Sequence, residues 1–508
     1  MNPEDRTTIF VAGGRDMAEH TDKFSRRKLL LEPRDLAGLT EASAPSQFAK
    51  AKALIVAESP GKYGVFSDVF ERVAPWAVAE GIALAYFLNA SADLNRVAAM
   101  MKDKPYLNHR VGGPTWVYYS ENIHDLAEDL RGHNPGPSTG SANIALLNDT
   151  VDLPNEHCRL LRRAFWDAKH IAVENLSGGA SSLGAYCLYA SLDTDYGQKE
   201  PTPFVFKVGQ PQKIYEECNN YRQFVQPFVP FHLRPGLIET RCIETPNCAA
   251  LACNFVEGAI PLERALSDGQ GAGAIFSLFE TTLRRFRHQA HSETRKPKLV
   301  SDYIRDRVKI AELREDETKL PRIQTAKQHK FKGEPEDLQA AIALRADGIE
   351  SLYVVIHGDL HMGNIMVRHK DSIVIDFGSM RSEGPLTADP VALEASIAFG
   401  TRKDESPNNQ NEWFKFIDQI YQNPLELPIP TPDHFHFAWV NRAIREVRHI
   451  VKCCGVSRDE ALLVLAASLL RYARFSKPSF NDRRLLEISE ERKAYAMVKA
   501  QQVFEQVT

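Results

Sequence analysis

The 508-residue chain has no apolar run long enough to cross a membrane. Its longest, "ALLVLAASLL" and "GIALAYFLNA", are half the roughly 20 residues a span requires. It has no excess of positive charge: a formal charge of −4 excludes the basic surface on which nonspecific nucleic-acid binding rests. The N-terminus "MNPEDRTTIF" lacks the apolar core of a secretory signal, so a cytoplasmic protein with no membrane and no nucleic-acid partner is expected. Its eight cysteines are scattered. Cys242, Cys248 and Cys253 lack the paired spacing of a zinc site and read as buried free thiols.

What the chain does have is 43% hydrophobic and 25% charged residues, the composition of a globular protein. Its length exceeds a single ordinary core, so two or three domains are expected. The first part alternates β-branched runs ("TTIFVAGG", "KALIVAESP", "GIALAYFLNAS", "TWVYYSE") with helix-like segments such as "IHDLAEDLRG". That alternation predicts a small α/β module with a mostly parallel sheet over 1–133. "VAGGRD" lacks the rest of a phosphate-binding fingerprint and reads as a tight turn. "GHNPGPSTGS" marks a linker, taken as 134–149.

Beyond the linker three strands, a helix at "QKIYEECNNYRQFVQPFV" and a further strand at "ALACNFVEG" precede a mainly helical remainder. The helical part is interrupted by "VVIHGDLHMGNIMVRHKDSIVIDFG", residues 354–378. This stretch places polar groups at the ends of apolar strands. Phosphoryl transfer needs a base to orient a hydroxyl and metal ions to neutralise phosphates. Asp359 is placed to accept a hydroxyl proton, Asn364 offers a neutral oxygen, and Asp376 can hold magnesium, which prefers hard oxygen ligands. Gly363 and Gly378 are expected to permit the tight backbone, and His357 to order the loop through hydrogen bonds. The basic runs 284–298 and 302–309 read as solvated helix faces.

"HGDLHMGNIMV" followed by "SIVIDFG" resembles the signature of the aminoglycoside phosphotransferase and choline kinase family, relatives of the protein kinases. The resemblance covers about 150–508. It implies an α+β bilobal, protein-kinase-like domain, with an N-lobe and hinge over 150–258 and a largely helical C-lobe over 259–508. It also implies ATP and Mg2+ as cofactors. Ser177, Gly178, Gly179 and Ser181 of "LSGGASSLG" stand at the position of a phosphate-covering loop, and Lys207 where such folds place a phosphate-binding lysine. A lysine in so apolar a strand needs an anionic partner. Glu217 is preferred over the adjacent Glu216 because it shares a helical face with Ile214 and Tyr221. Backbone groups near Asn254 and Val256 are expected to meet adenine. Asp389 and Glu394 are candidates to support the catalytic loop or to bind substrate, with a helix first-turn role as the alternative for Asp389.

The expected activity is ATP-dependent transfer of the γ-phosphoryl to a hydroxyl of a small molecule. The alternatives are a nucleotide-binding regulatory or scaffold protein, and nucleotidyl transfer at the same site. The N-terminal module leaves room for a protein partner.

Overall fold

The computed structural model describes residues 7–12, 17, 20–34, 47–57, 72–88, 94–95, 97–99, 115–119, 122–133, 140–147, 153–176, 183–192, 202–245, 247–288, 297–311, 313, 320–402, 405–431, 435–475 and 482–508. The chain divides into two compact units: 1–218 with 236–255, and 219–235 with 256–508.

The first unit holds two sheets. The strands β1 (Thr8–Ala12), β2 (Leu30–Pro33), β3 (Ala51–Ala57), β4 (Ala83–Leu88) and β5 (Thr115–Tyr119) pair in the order β2-β1-β3-β4-β5, every pair parallel. Because side chains alternate along a strand, such a sheet must be covered on both faces. Phe10, Leu54, Val56, Leu84 and Tyr86 pack on one side with Ala74, Ala77 and Val78 of the helix Ala74–Ala79. Ile9, Ile55, Ala85 and Phe87 pack on the other with Phe24 and with Ile123, Leu126 and Leu130 of the helix Ile123–Gly132. The α/β module with a parallel sheet is therefore as the sequence implied. Its short, half-exposed edge strand β2 carried no alternating pattern to announce it. Most of the "VAGGRD" turn lies outside the described residues.

The second sheet runs β10-β11-β9-β8-β7-β6, built from β6 (Asn143–Leu146), β7 (Ala168–Asn175), β8 (Gly184–Leu192), β9 (Thr202–Gly209), β10 (Ile243–Glu244) and β11 (Ala249–Asn254). Strand β6 lies inside the segment read as linker and pairs in parallel with β7; the rest of the sheet is antiparallel. Phe204, Phe206 and Val208 of β9 face a core shared with Leu160, Leu161 and Ala164 of the helix Asn155–Ala164. From that helix the buried Arg163 donates to the carbonyls of Ala79 and Glu244. One guanidinium thus satisfies carbonyls belonging to the module and to the second sheet.

The second unit is mainly helical, with the small strands β12 (Ile260–Pro261), β13 (Lys298–Leu299), β14 (Glu350–Ser351), β15 (Tyr353–Ile356), β16 (Ile365–Arg368), β17 (Asp371–Val374) and β18 (Arg381–Pro385). The closing amphipathic stretch forms the helix Arg483–Phe504 as expected, packed on the helix Arg458–Arg474. Among the described residues no helix is long and apolar enough to cross a membrane.

Glu394 is fully buried, and Arg448 meets its Oε1 through Nε (3.1 Å) and Nη2 (2.8 Å). The remaining Nη1 donates to the carbonyls of Ile420 and Glu426. A charge buried this deeply is tolerated only while paired, and removing one partner costs about 3–5 kcal/mol. Arg448→Met is therefore expected to lower the urea midpoint sharply. Arg483→Ala, from an exposed pair with Glu487, should leave it unchanged in the same denaturation series.

Candidate active site

In the first unit, strand alternation puts Lys207 on the face of β9 opposite Phe204 and Phe206. That is the face covered by Ile214 and Cys218 of the helix Pro211–Asn220, together with Val205, Leu251 and Cys253. Glu217 is one turn beyond Ile214 on the same helix. Its Oε2 accepts from Lys207 Nζ at 2.8 Å, with side-chain exposures of 9% and 16%. Glu216 instead lies outside this core and accepts from Gln212. The lysine and the glutamate are thus locked by burial as well as by charge. Burial pushes the Cys253 thiol well up, and that of Cys248 up to about 12, so both stay protonated beside the sheet.

Ser177, Gly178, Gly179 and Ser181 lie outside the described residues. Asn254 ends β11, exposed, and its N–H is already donated to the Gly236 carbonyl at 3.0 Å. Any adenine contact there must use another group. Val256 is half-buried and its carbonyl accepts from Ala259 N–H. The chain passes from one unit to the other between Phe255 and Val256.

In the second unit, β16 and β17 form a hairpin with Ile365 opposite Val374. Asn364 and Ile375 extend this register, and Ile375 N–H donates to the Asn364 carbonyl at 3.0 Å. Asn364, nearly buried, donates from Nδ2 to the Asp359 carbonyl at 3.0 Å. This leaves its amide oxygen as the acceptor end. Asp359 and Asp376 are thereby tied through Asn364 to one end of the hairpin.

Asp376 has φ +62, a left-handed conformation that aspartate tolerates better than most residues. Phe377 after it is buried against His357 and Tyr221, and its carbonyl accepts from Asn220 Nδ2 at 2.9 Å. Neither Gly363 nor Gly378 has a positive φ. The glycine the turn requires is Gly358, at φ +75, where a Cβ would run into the Ser379 carbonyl oxygen. Gly358 thus joins the glycines expected to permit the tight backbone, and at Gly363 a Cβ would come within 3.0–3.1 Å of the His361 ring.

The turn itself is held from outside. Asp389, buried in the first turn of the helix Ala388–Phe399, accepts from His357 N–H (2.7 Å) and Gly358 N–H (3.0 Å). Burial raises its carboxyl above the usual range, against the lowering effect of His357 and the two N–H donors. Asp389 thus supports the loop and does more than complement a helix dipole. Glu394 is consumed by Arg448. His357 is fully buried, and its Nε2 lies 3.1 Å from the Ile375 carbonyl. A carbonyl only accepts, so this nitrogen carries the proton.

Asp359 is partly exposed. Its Oδ1 accepts from Arg471 Nη2 at 2.9 Å, and its Oδ2 lies 3.9 Å from His361 Nε2. His361 Nδ1 accepts from Gly363 N–H, which places the ring proton on Nε2, toward the carboxylate. Arg307 Nη2 donates to the Gly358 carbonyl at 2.6 Å. Arg307 belongs to the run 302–309 and departs from the solvated face expected there.

Arg471 escaped the sequence reading, because it follows Asp359 by more than a hundred residues. Its one signal is a guanidinium set at the end of the apolar run "ALLVLAASLL".

Among the described residues no three His, Cys, Asp or Glu side chains gather around a metal position. Two oxygen-bearing side chains, Asn364 and Asp376, suit magnesium, which takes its other ligands from phosphates and water.

Residues 203–400 match the model of the phosphotransferase enzyme family, APH. The resemblance read from the motif is thus found independently over a segment that includes Lys207, Asp359, Asn364 and Asp376. The matched segment runs from β9 of the first unit to the helix Ala388–Phe399 of the second, and the match supports phosphotransferase activity. No curated protein sequence matches the chain. Among solved structures, the chain is similar to a thermostable mutant of the aminoglycoside phosphotransferase APH(4)-Ia. The identity is 14% over 66% of this chain and 94% of that one, with a TM-score of 0.37. It is also similar to APH(2")-IIa in complex with gentamicin (12%, 71% and 98%, 0.37). A third similar structure is the amicoumacin kinase hAmiN with AMP-PNP and Ca2+ (12%, 64% and 88%, 0.34).

Two outcomes follow for the turn at Gly358. Gly358→Ala should lower the thermal midpoint and the yield of folded protein, since its Cβ has no room, while Gly348→Ala, with open space around it, should not. Burial lowers the pKa of His361, against the raising effect of Asp359. The stability tied to its neutral form is present above the ordinary value of about 6.5 and lost as pH falls through the lower folded value. A thermal-midpoint profile of His361→Gln should be flatter over that interval than that of the wild type.

Proposed function

We propose that the protein transfers the γ-phosphoryl of Mg-ATP to a hydroxyl of a small molecule. The observation that carries this reading is that Asn364, at one end of the β16–β17 hairpin, is bonded at 3.0 Å both to the Asp359 carbonyl and to the N–H of Ile375, the residue before Asp376. Three oxygen-bearing side chains on a rigid mount suit a reaction whose catalysis is mostly positioning and charge. The family match over 203–400 supports the same reading.

In this scheme Asp359 accepts the hydroxyl proton. Its carboxylate is oriented by Arg471 through Oδ1, so Oδ2 is the oxygen turned to the acceptor. Asn364 and Asp376 would hold magnesium, which when bound neutralises and orients the phosphates. Lys207 binds phosphate oxygens, and Glu217 keeps its ammonium extended along β9. Ser177, Gly178, Gly179 and Ser181 would cover the phosphates with backbone N–H groups. The backbone near Asn254 and Val256 would meet adenine, using groups other than the Asn254 N–H. The α/β module is proposed to engage a protein partner.

The test uses full-length protein and ATP labelled at the α or the γ position, with a pool of small hydroxyl compounds as acceptors. Transfer of γ-label alone is expected, and transfer of α-label would replace this reading with nucleotidyl transfer. Asp359→Asn should reduce γ-transfer by roughly 100-fold or more, the usual range for a lost general base, with Mg-ATP affinity retained. Lys207→Met should instead weaken nucleotide binding. Tight ATP binding with no transfer of either label would identify a sensor and not an enzyme.

A further inference from the structure

Beside Asp359, within the second unit, is a recess of about 260 Å³ including its open part. Its wall is formed by Asp359, His361, Ser396, Ser468, Arg471 and Tyr472, with Phe475 and smaller apolar residues between them. Its charge is unusual for a site meant to hold an amine. Among the described residues, the one carboxylate in the wall is Asp359 itself, and a base that must accept a hydroxyl proton cannot also serve as the ammonium partner.

The positive side of the wall is Arg471. Arg471 is 9% exposed, yet only its Nη2 has a carboxylate, and its buried Nε has no hydrogen-bond partner among the described residues. Its guanidinium stands 5.2 Å from the Phe475 ring centroid, a face that steadies the planar group and offers it no acceptor. Arg307, on the Gly358 carbonyl behind the turn, also has a buried Nε without a partner among the described residues. Its pKa is pushed down to about 10, first by burial and then by the nearby charge of Arg471, with Tyr303 opposing and Arg381 adding to the effect. Asp389 accepts from two backbone N–H groups and Glu394 is taken by Arg448, and neither lines the recess, where Arg471 is the one arginine or lysine among the described residues. A desolvated guanidinium with unused N–H groups is stabilised by a planar oxyanion that matches its fork.

We infer that the acceptor is a small hydroxy compound bearing an oxyanion, a carboxylate or a phosphate ester, and that Arg471 selects it by binding that group. The inference rests on the phosphotransfer reading above and names its substrate class. Without acceptor, the Asp359 carboxylate takes one N–H of Arg471. With acceptor, the oxyanion takes the unused donors while Asp359 Oδ2 faces the hydroxyl. The hydroxyl proton then passes to Asp359, the acceptor oxygen forms its bond to the γ-phosphorus, and the bond from that phosphorus to the bridging oxygen breaks to release ADP.

Calorimetric titration of the full-length protein without nucleotide tests this with four probes: glycerate and glycerol 3-phosphate as anions, glycerol as the neutral analogue, and choline as the cation. At least one anionic probe is expected to bind saturably, with glycerol and choline weaker. Arg471→Gln, checked for folding by circular dichroism, should weaken that binding about tenfold or more, as befits loss of a charged hydrogen-bonding partner. Arg471→Lys should recover part of it. Choline binding more tightly than both anions, no saturable binding of either anion, or equal anion affinity in Arg471→Gln would each overturn the inference, and the wild-type ranking decides even if the variant does not fold. γ-Labelled ATP supplied with the anion that binds separates the two readings. Arg471-dependent binding with no transfer of label would remove the phosphotransferase reading and leave the oxyanion site standing.

Discussion

The turn that carries the proposed base depends on one buried carboxylate. Asp389 accepts from two consecutive N–H groups, those of His357 and Gly358, at a point where β15 has ended and no strand partner remains. Unpaired N–H groups in that position would cost about 1–3 kcal/mol each. The arrangement also fixes the direction in which the next residue, Asp359, leaves the turn. The remaining supports act on the same few residues: Arg307 on the Gly358 carbonyl, His357 on Ile375, and Asn364 on the Asp359 carbonyl. The Arg307 and Asp389 bonds join segments 51 and 31 residues apart, so the site is specified by tertiary structure to a greater extent than its compact motif suggests.

The two units contribute by different physics. In the first, strand period and helix period agree. β9 turns Lys207 to the face that the helix Pro211–Asn220 covers, and the helix turns Glu217 inward and Glu216 outward. In the second, polar groups are buried with few regular strands to hold them, so side-chain to backbone hydrogen bonds take the place of sheet pairing. Arg448 with Glu394 shows the same solution deeper in the helical core.

What could be read from sequence follows from this division. The parallel sheet, the Lys207 face, the choice of Glu217 and the closing helix depend on local periodicity, which a single sequence displays. The roles of Asp389, Arg307 and Arg471 depend on contacts across 31, 51 and 112 residues, for which a sequence carries only indirect signs. Asp389 was weighed between two roles because its first-turn position suits both, and only the direction of its carboxylate distinguishes them. Gly358 carries no sign of its role in the sequence, since the crowding that requires glycine there comes from the Ser379 backbone, 21 residues away.

The absent side chain at Gly358 lets the backbone before Asp359 lie directly against the backbone of the segment after Asp-Phe-Gly. Two stretches more than twenty residues apart therefore share a hinge pin. A methyl group at position 358 would wedge the two main chains apart, one residue from Asp359 on one side and three from Asp376 on the other.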